Sequence, residues 1–307
     1  MNKTINFLGI GNQKSGTTWL FKNLKNIPEF DLPGKKEFHY FDRSDSYPSP
    51  STLTEDIFWK RFKETPKTHI KLLLKMIYNF IITGNYKIFY FKSKWILSNY
   101  NDFWYVSLFK KFSGYTGEIT PSYMYLNKND IRRIYNCNHN IKLILFLRNP
   151  IDRAWSHFRY SKVNRSFDNI DLNEIIKFMD SEHQTKRGDY ISAIKNYLDV
   201  FDNKQLLICF YDAIIETPKL LFEQIIKHIC DDKDINIDHL HLNKKVNVSK
   251  KLDCPDEVLA HLKNKYYSQI KELSELYGGY FTKWYEDTYN ERSENQNKSL
   301  TPTIYIP

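Results

Sequence analysis

Apolar positions along this chain fall into two patterns. Short continuous runs, at 5–10 (broken by Gly9), 141–147 (IKLILFL) and 205–211 (QLLICFY), have the length of strands. Such runs suit strands covered on both faces of a parallel sheet. Residues 115–121 read as a further strand, stopped at Pro121. The other pattern is helical. Trp19, Leu20, Phe21 and Leu24 recur at helical spacing, and 122–135 carries Ile131 and Ile134 on one side. Helices are predicted over 151–162 and 173–186, and from Gly188-Asp189-Tyr190 onward, where Ile191, Ile194, Leu198 and Phe201 share a face. Thr217 and Pro218 open a helix to about Cys230, and 255–276 form a long one ended by Gly278-Gly279. Strand–helix alternation without internal repeats predicts a single α/β domain with a mainly parallel central sheet flanked by helices.

Residues 44–66 are rich in Ser, Pro and Thr and read as loop with a short helix near 55–62. Residues 69–105 are aromatic and basic, with helical periodicity at 70–82. The domain is therefore assigned to 1–289, with 44–112 a helical insertion and 290–307 a polar tail. The insertion is either an acceptor-side lid or a helical packing layer.

The first strand runs into Gly11-Asn12-Gln13-Lys14-Ser15-Gly16-Thr17-Thr18, and a helix follows. Strand, glycine loop and helix form an anion cradle, because glycines let backbone N–H groups turn inward and the helix N-terminus adds about half a positive charge. The loop keeps the four-residue gap of a Walker A loop but has Thr17 where the lysine belongs; the lysine sits inside, at Lys14. That displacement points to a phosphate-type cradle that does not run ordinary triphosphate hydrolysis. The 141–147 run ends in Arg148-Asn149-Pro150 and a helix carrying Ser156. Nucleotide hydrolases often place an acidic magnesium ligand at the end of such a strand. A cation there argues for a second phosphate instead, with Ser156 in reach of the same anion. Between these elements, Glu37, His39 and Phe41 alternate with Phe38 and Tyr40 as on an extended strand, and Glu37 with His39 forms a candidate acid/base pair.

Composition narrows the classes. A chain of 307 residues can bury about three quarters of its surface, so it needs no disulfide or metal staple. Cys137, Cys209, Cys230 and Cys254 have neither C-x-x-C nor zinc-ligand spacing, which reads as free thiols in a reducing cytoplasm. The most apolar later segment, 72–82, is too short to span a bilayer and contains Lys75, so no integral membrane segment is predicted. The net charge of +9 suits an anionic small molecule, an acidic glycan, nucleic acid or a membrane surface. It brings no recognised nucleic-acid motif with it.

Taken together, these motifs resemble a known family. The loop at 11–18 looks like the 5′-phosphosulfate loop of sulfotransferases that use 3′-phosphoadenosine 5′-phosphosulfate (PAPS). Leu147-Arg148-Asn149-Pro150 with Arg153 and Ser156 resembles their 3′-phosphate motif, and Lys36-Glu37-Phe38-His39-Tyr40-Phe41-Asp42 is similar to the catalytic strand of the heparan-sulfate and bacterial carbohydrate branch. Gly117-Glu118-Ile119-Thr120-Pro121-Ser122-Tyr123 and Gly188-Asp189-Tyr190 stand in family order. The resemblance implies a P-loop NTPase-like sulfotransferase fold and PAPS as sulfuryl donor, with no metal. It implies donor binding by Lys14, Ser15, Gly16, Thr17, Thr18, Trp19, Arg148, Ser156, Tyr190 and a late basic pair, Lys250 and Lys251. Glu37 would be the general base, with His39 and Asp42 beside it and Lys14 on the leaving oxygen. A carbohydrate or other hydroxyl-bearing acceptor is expected. Heparan-sulfate enzymes often carry a lysine where this chain has Ile119, which leaves the acceptor class open. Two rival classes stand beside this reading. One is a small-molecule kinase using ATP and magnesium; the other is a non-catalytic binder of acidic polymers.

Overall fold

The structure is a computed structural model, and it describes residues 5–47, 53, 55–162, 171–231, 233–244, 252–290 and 300–306. The elements run β1 (Phe7–Gly11), α1 (Thr17–Leu24), α2 (Phe58–Glu64), α3 (Pro66–Thr83), α4 (Tyr86–Leu97), α5 (Asp102–Ser107), β2 (Gly117–Ile119), α6 (Lys128–Cys137), β3 (Lys142–Leu147) and α7 (Pro150–Ser161). They continue with α8 (Leu172–Met179), α9 (Glu182–Gly188), α10 (Tyr190–Leu198), β4 (Leu206–Phe210), α11 (Tyr211–Glu216), α12 (Pro218–Cys230), α13 (Asp256–Tyr277), α14 (Tyr280–Tyr289) and β5 (Thr303–Tyr305).

One sheet of five strands, in the order β2-β1-β3-β4-β5, forms the centre. The first four are mutually parallel, with Phe7 opposite Gly117 and Lys142, and Phe146 opposite Cys209. Every residue of β1 and β4 is buried, as continuous apolar runs require. Neighbours along a strand face opposite ways, so Phe146 and Phe210 point to opposite faces of the sheet. Trp19 of α1, itself packed on Phe222 of α12, covers Phe146, while Phe281 and Trp284 of α14 cover Phe210. Helices therefore flank both faces, as the alternation predicts.

Three local readings change. The 122–135 segment is a short 3-10 turn (Pro121–Tyr125) followed by α6, because the Asn127 side chain caps a new helix by accepting from Asp130 N at 2.9 Å. The 173–186 segment is two helices, α8 and α9, parted at Asp180-Ser181. The chain does not finish as tail alone: Thr303–Tyr305 adds an antiparallel edge strand on β4, with Ile304 opposite Ile208.

Candidate active site

The loop after β1 closes tightly. Lys14 and Gly16 have φ of 71° and 104°, both left-handed. The φ of Gly16 is strained for any residue with a side chain, and a Cβ there would also stand 2.2 Å from the tip of Ile214, Cδ1, which would have to move. Gly16 is also the N-cap of α1 and offers no capping side chain, which leaves the first N–H groups of Thr17–Leu24 facing the loop. Asn12 ties the loop down: its N–H donates to Phe146 O at 2.7 Å and its Nδ2 to Arg187 O at 2.8 Å. Asn12 Oδ1, Gln13 Oε1 and Ser15 Oγ are buried without a hydrogen-bond partner, an unusual concentration of unspent polar atoms in one turn.

Cations converge on this loop. Arg148, at the end of β3, donates from Nη1 to Lys14 O at 3.4 Å and lies 4.4 Å over the Tyr211 ring. Lys14 Nζ sits 4.2 Å over the Tyr160 ring. Burial lowers the Lys14 pKa, and the charges of Arg148 and Arg159 lower it further. Like charges held this close favour an anion between them. The structure thus brings together the two predicted phosphate motifs, although 134 residues separate Lys14 from Arg148. Ser156 is buried on α7, the helix that also presents Arg153 and Arg159. Arg153 is fully buried; its Nη2 donates to Gln184 Oε1 at 2.9 Å, while Nε and Nη1 have no partner. Gln184 Nε2 in turn meets His157 Nδ1 at 3.1 Å, and burial, with Arg153 and Arg187 nearby, pushes that imidazole down to about 3.

The side chains of two residues expected at the donor, Trp19 and Tyr190, are engaged within the protein. The Trp19 ring is packed against Phe146 and Phe222, and its Nε1 donates to Leu242 O at 2.9 Å. It is a core side chain that anchors α1. Tyr190 is buried and spends its hydroxyl on Arg148 O at 2.7 Å, so it buttresses the strand end that carries Arg148. Lys250 and Lys251 lie outside the described residues.

The acid/base segment is not the extended strand that alternation suggests. His39 adopts a left-handed φ of 55°, and Phe38, Tyr40 and Phe41 are all buried. The turn aims Glu37 and His39 the same way while their aromatic neighbours point into the core. His39 Nδ1 is 2.8 Å from Asp42 Oδ2, and its Nε2 is 3.4 Å from Glu37 Oε2. Asp42 also accepts from the Ser122 hydroxyl. Burial opposes charge on both partners, but the His39 and Lys36 contacts win and hold the Glu37 carboxyl down to about 2. For His39, likewise, burial is outweighed by Asp42 and Glu37, which push the imidazole up to about 9. At neutral pH Glu37 is therefore a carboxylate beside an imidazolium at His39.

Lys36 connects the two halves, a role that sequence reading missed. Its Nζ donates to Glu37 Oε1 at 2.8 Å, Thr17 Oγ1 at 3.2 Å and Thr18 Oγ1 at 3.4 Å. A second missed residue is Glu118 in β2. Its buried carboxylate accepts from Phe38 N at 3.0 Å, Tyr105 OH at 2.9 Å and Tyr123 OH at 2.8 Å, fixing the Glu37 segment to the sheet edge. Burial pushes this carboxyl up to about 7 despite four hydrogen-bond donors. Ile119 beside it is core: a Cβ on Gly9 would meet Ile119 Cγ2 at 2.6 Å, so this position packs on β1. Only the Glu118 position carried a signal, as a carboxylate in the middle of a predicted strand. Lys36 stood out no more than Lys35.

The described residues contain no group of three or more His, Cys, Asp or Glu placed to hold a metal ion. All four cysteines are free. No helix among the described residues is long and apolar enough to cross a membrane.

Comparison with known proteins gives consistent results. Residues 6–245 match the family model described as "Sulfotransferase domain". The chain is similar to the membrane-associated sulfotransferase kil1 of Dictyostelium discoideum, 30% identical over 158 residues; the match covers 51% of this chain and 23% of that protein, so this chain spans about a quarter of the relative. Its fold is similar to the crystal structure of a sulfotransferase from Alicyclobacillus acidocaldarius, with a TM-score of 0.57, 19% identity, and coverage of 89% of this chain and 95% of the other.

Proposed function

This chain belongs to the sulfotransferase family, and on that premise we propose that it moves a sulfuryl group from PAPS to a hydroxyl or amine of a carbohydrate acceptor. The observation that carries this reading is the convergence of Lys14, Arg148 and Arg159 on one loop, with Lys36 reaching from that loop to Glu37. The Ser15 hydroxyl, buried without a partner and able to donate, and the like-charged cations fit a phosphosulfate at one end of a nucleotide and a further phosphate at the other. PAPS, when bound, supplies an activated sulfuryl group and a phosphate leaving group.

Each residue then has a task. Loop N–H groups and Lys14 stabilise charge that develops on the leaving oxygen. Arg148 and Ser156 hold the 3′-phosphate end. Glu37 accepts the proton of the attacking hydroxyl. A carboxylate held down to about 2 is a weak base. Lys36 relieves part of this, because it is shared between Glu37 and the threonines of the cradle, while the His39 contact, the largest of the causes that lower the Glu37 pKa, stays in place. Drawn toward an anion in the cradle, Lys36 releases Glu37 and its proton affinity rises, which couples base strength to donor binding. The four free thiols fit a reducing, cytoplasmic setting.

The test is calorimetric titration with 3′-phosphoadenosine 5′-phosphate and with ATP, each with and without magnesium. Tight binding of the bisphosphate, independent of magnesium, is expected. Magnesium-dependent preference for ATP would overturn the proposal in favour of a kinase.

A further inference from the structure

The helical layer at α2–α4 has a property that the reaction does not use. Between Thr65 and Asn101 the sequence holds six lysines and no Asp or Glu, so this short stretch supplies six of the chain's net +9 charges. Helix α3, the outer helix of the layer, has a single buried residue, Met76, among its 18. Its outward side is apolar. Ile70, Leu74, Ile77 and Ile81 recur at i, i+4, i+7 and i+11, the spacing of one helix face, and all are exposed, Leu74 at 62% and Ile81 at 75%. Tyr78 is exposed at 64% beside them. Lys67, Lys71 and Lys75 form the neighbouring stripe, and none of the three pairs with a carboxylate among the described residues. The inner side is committed: Phe80 meets Phe89 of α4 at 4.6 Å between ring centres, and α4 lays Phe91 and Trp95 on Phe38.

We propose that the outer face of α3 docks this protein on an anionic lipid bilayer. An amphipathic helix with an aliphatic stripe, an adjoining lysine stripe and no acidic residue lies in the headgroup plane with its apolar face in the acyl boundary. It does not span, since no described helix is long and apolar enough to cross. Charge decides between this occupant and a second copy of the chain. A symmetric self-contact would set one lysine stripe near another with no acidic residue in the patch to neutralise either, whereas anionic headgroups neutralise both stripe and layer. The face is also firmly placed: Lys87 of α4 pairs with Asp31 and Lys35 lies 3.9 Å over the Trp95 ring, so the layer is anchored to the domain that it covers.

Flotation of the full chain with vesicles tests this. Vesicles of phosphatidylcholine mixed with phosphatidylglycerol should carry the protein upward, and raising salt should release it; vesicles of phosphatidylcholine alone should not carry it. Lys67→Gln/Lys71→Gln/Lys75→Gln should weaken binding roughly 100-fold, about fivefold per lysine, and Leu74→Glu/Ile81→Glu should abolish it. Circular dichroism melting verifies that each variant folds, and Ile81→Ser alone replaces the double variant if that one does not. Three results would each overturn the proposal. They are wild-type protein that stays unbound by the anionic vesicles, variants that bind as wild type does, or a wild-type dimer in sedimentation that Leu74→Glu/Ile81→Glu dissolves, which would assign the face to a second copy.

Discussion

The two halves of the site are charged in opposite styles. On the cradle side Lys14, Arg148 and Arg159 repel one another, with burial and like charge both lowering the Lys14 pKa. On the acid/base side Glu37, His39, Asp42 and Lys36 alternate in sign and interlock within 3.4 Å. A like-charged cluster is costly until an anion joins it; an alternating row is settled beforehand. The cradle half is thus organised for a ligand, and the acid/base half for itself. Truncations should separate the two: in the first half they should cost affinity and spare the fold, and in the second, Lys36 apart because it reaches the cradle, they should cost turnover or stability and spare affinity.

The largest expected effect comes from Glu37→Ala. Losing a general base removes a factor of about 10²–10⁴ in rate, while affinity for 3′-phosphoadenosine 5′-phosphate stays near wild type. Steady-state kinetics with parallel calorimetry measures both. Wild-type turnover would disqualify Glu37 and direct attention to His39. Next is Arg148→Ala, for which loss of a charge-assisted contact of about 2–3 kcal/mol predicts roughly 30- to 150-fold weaker bisphosphate binding. Its melting temperature without ligand should hold or rise, since Lys14 loses a repulsive neighbour. A fall of many degrees would erase the contrast drawn above. Lys14→Ala should behave alike in stability and should also lower turnover.

The third prediction concerns pH. His39 is raised from 6.5 to about 9, so the stability that its imidazolium contributes is fully present below pH 6.5 and lost as pH rises through 9. Glu37 is lowered to about 2, so its contribution is present above pH 4.5 and lost only as pH falls through 2. Glu37 is 39% exposed, which screens the pair, and an alkaline loss on the order of 1–2 kcal/mol is expected. Melting curves from pH 6 to pH 10 should fall for wild type and flatten for His39→Gln; identical slopes would remove the His39 row from the account. The smallest effect is that of Trp19→Phe. It deletes the hydrogen bond to Leu242 O, worth about 1 kcal/mol, and part of a ring packed on Phe146 and Phe222, so it should lower the melting temperature while leaving bisphosphate affinity unchanged. A large affinity loss would return Trp19 to the cradle.

What the sequence determined alone was local. Continuous apolar runs at 141–147 and 205–211 suit strands covered on both faces, and the Gly11-to-Thr18 loop suits a tight turn into a helix, so sheet and loop were legible from spacing and the family from the resemblance of its motifs. What tertiary structure decided was which side chains spend themselves on the core and which remain for a ligand. Trp19 and Tyr190 adjoin the motifs in sequence yet bond inward, to Leu242 and Arg148 carbonyls. Lys36, one lysine of a pair, becomes the bridge because packing brings Thr17 and Thr18 beneath it. Glu118 orients the Glu37 segment through partners that the sequence spreads from Phe38 to Tyr123. Periodicity reports how a residue faces its own element; the partners of a buried polar group come from other elements, and only the packed chain brings them within hydrogen-bond reach.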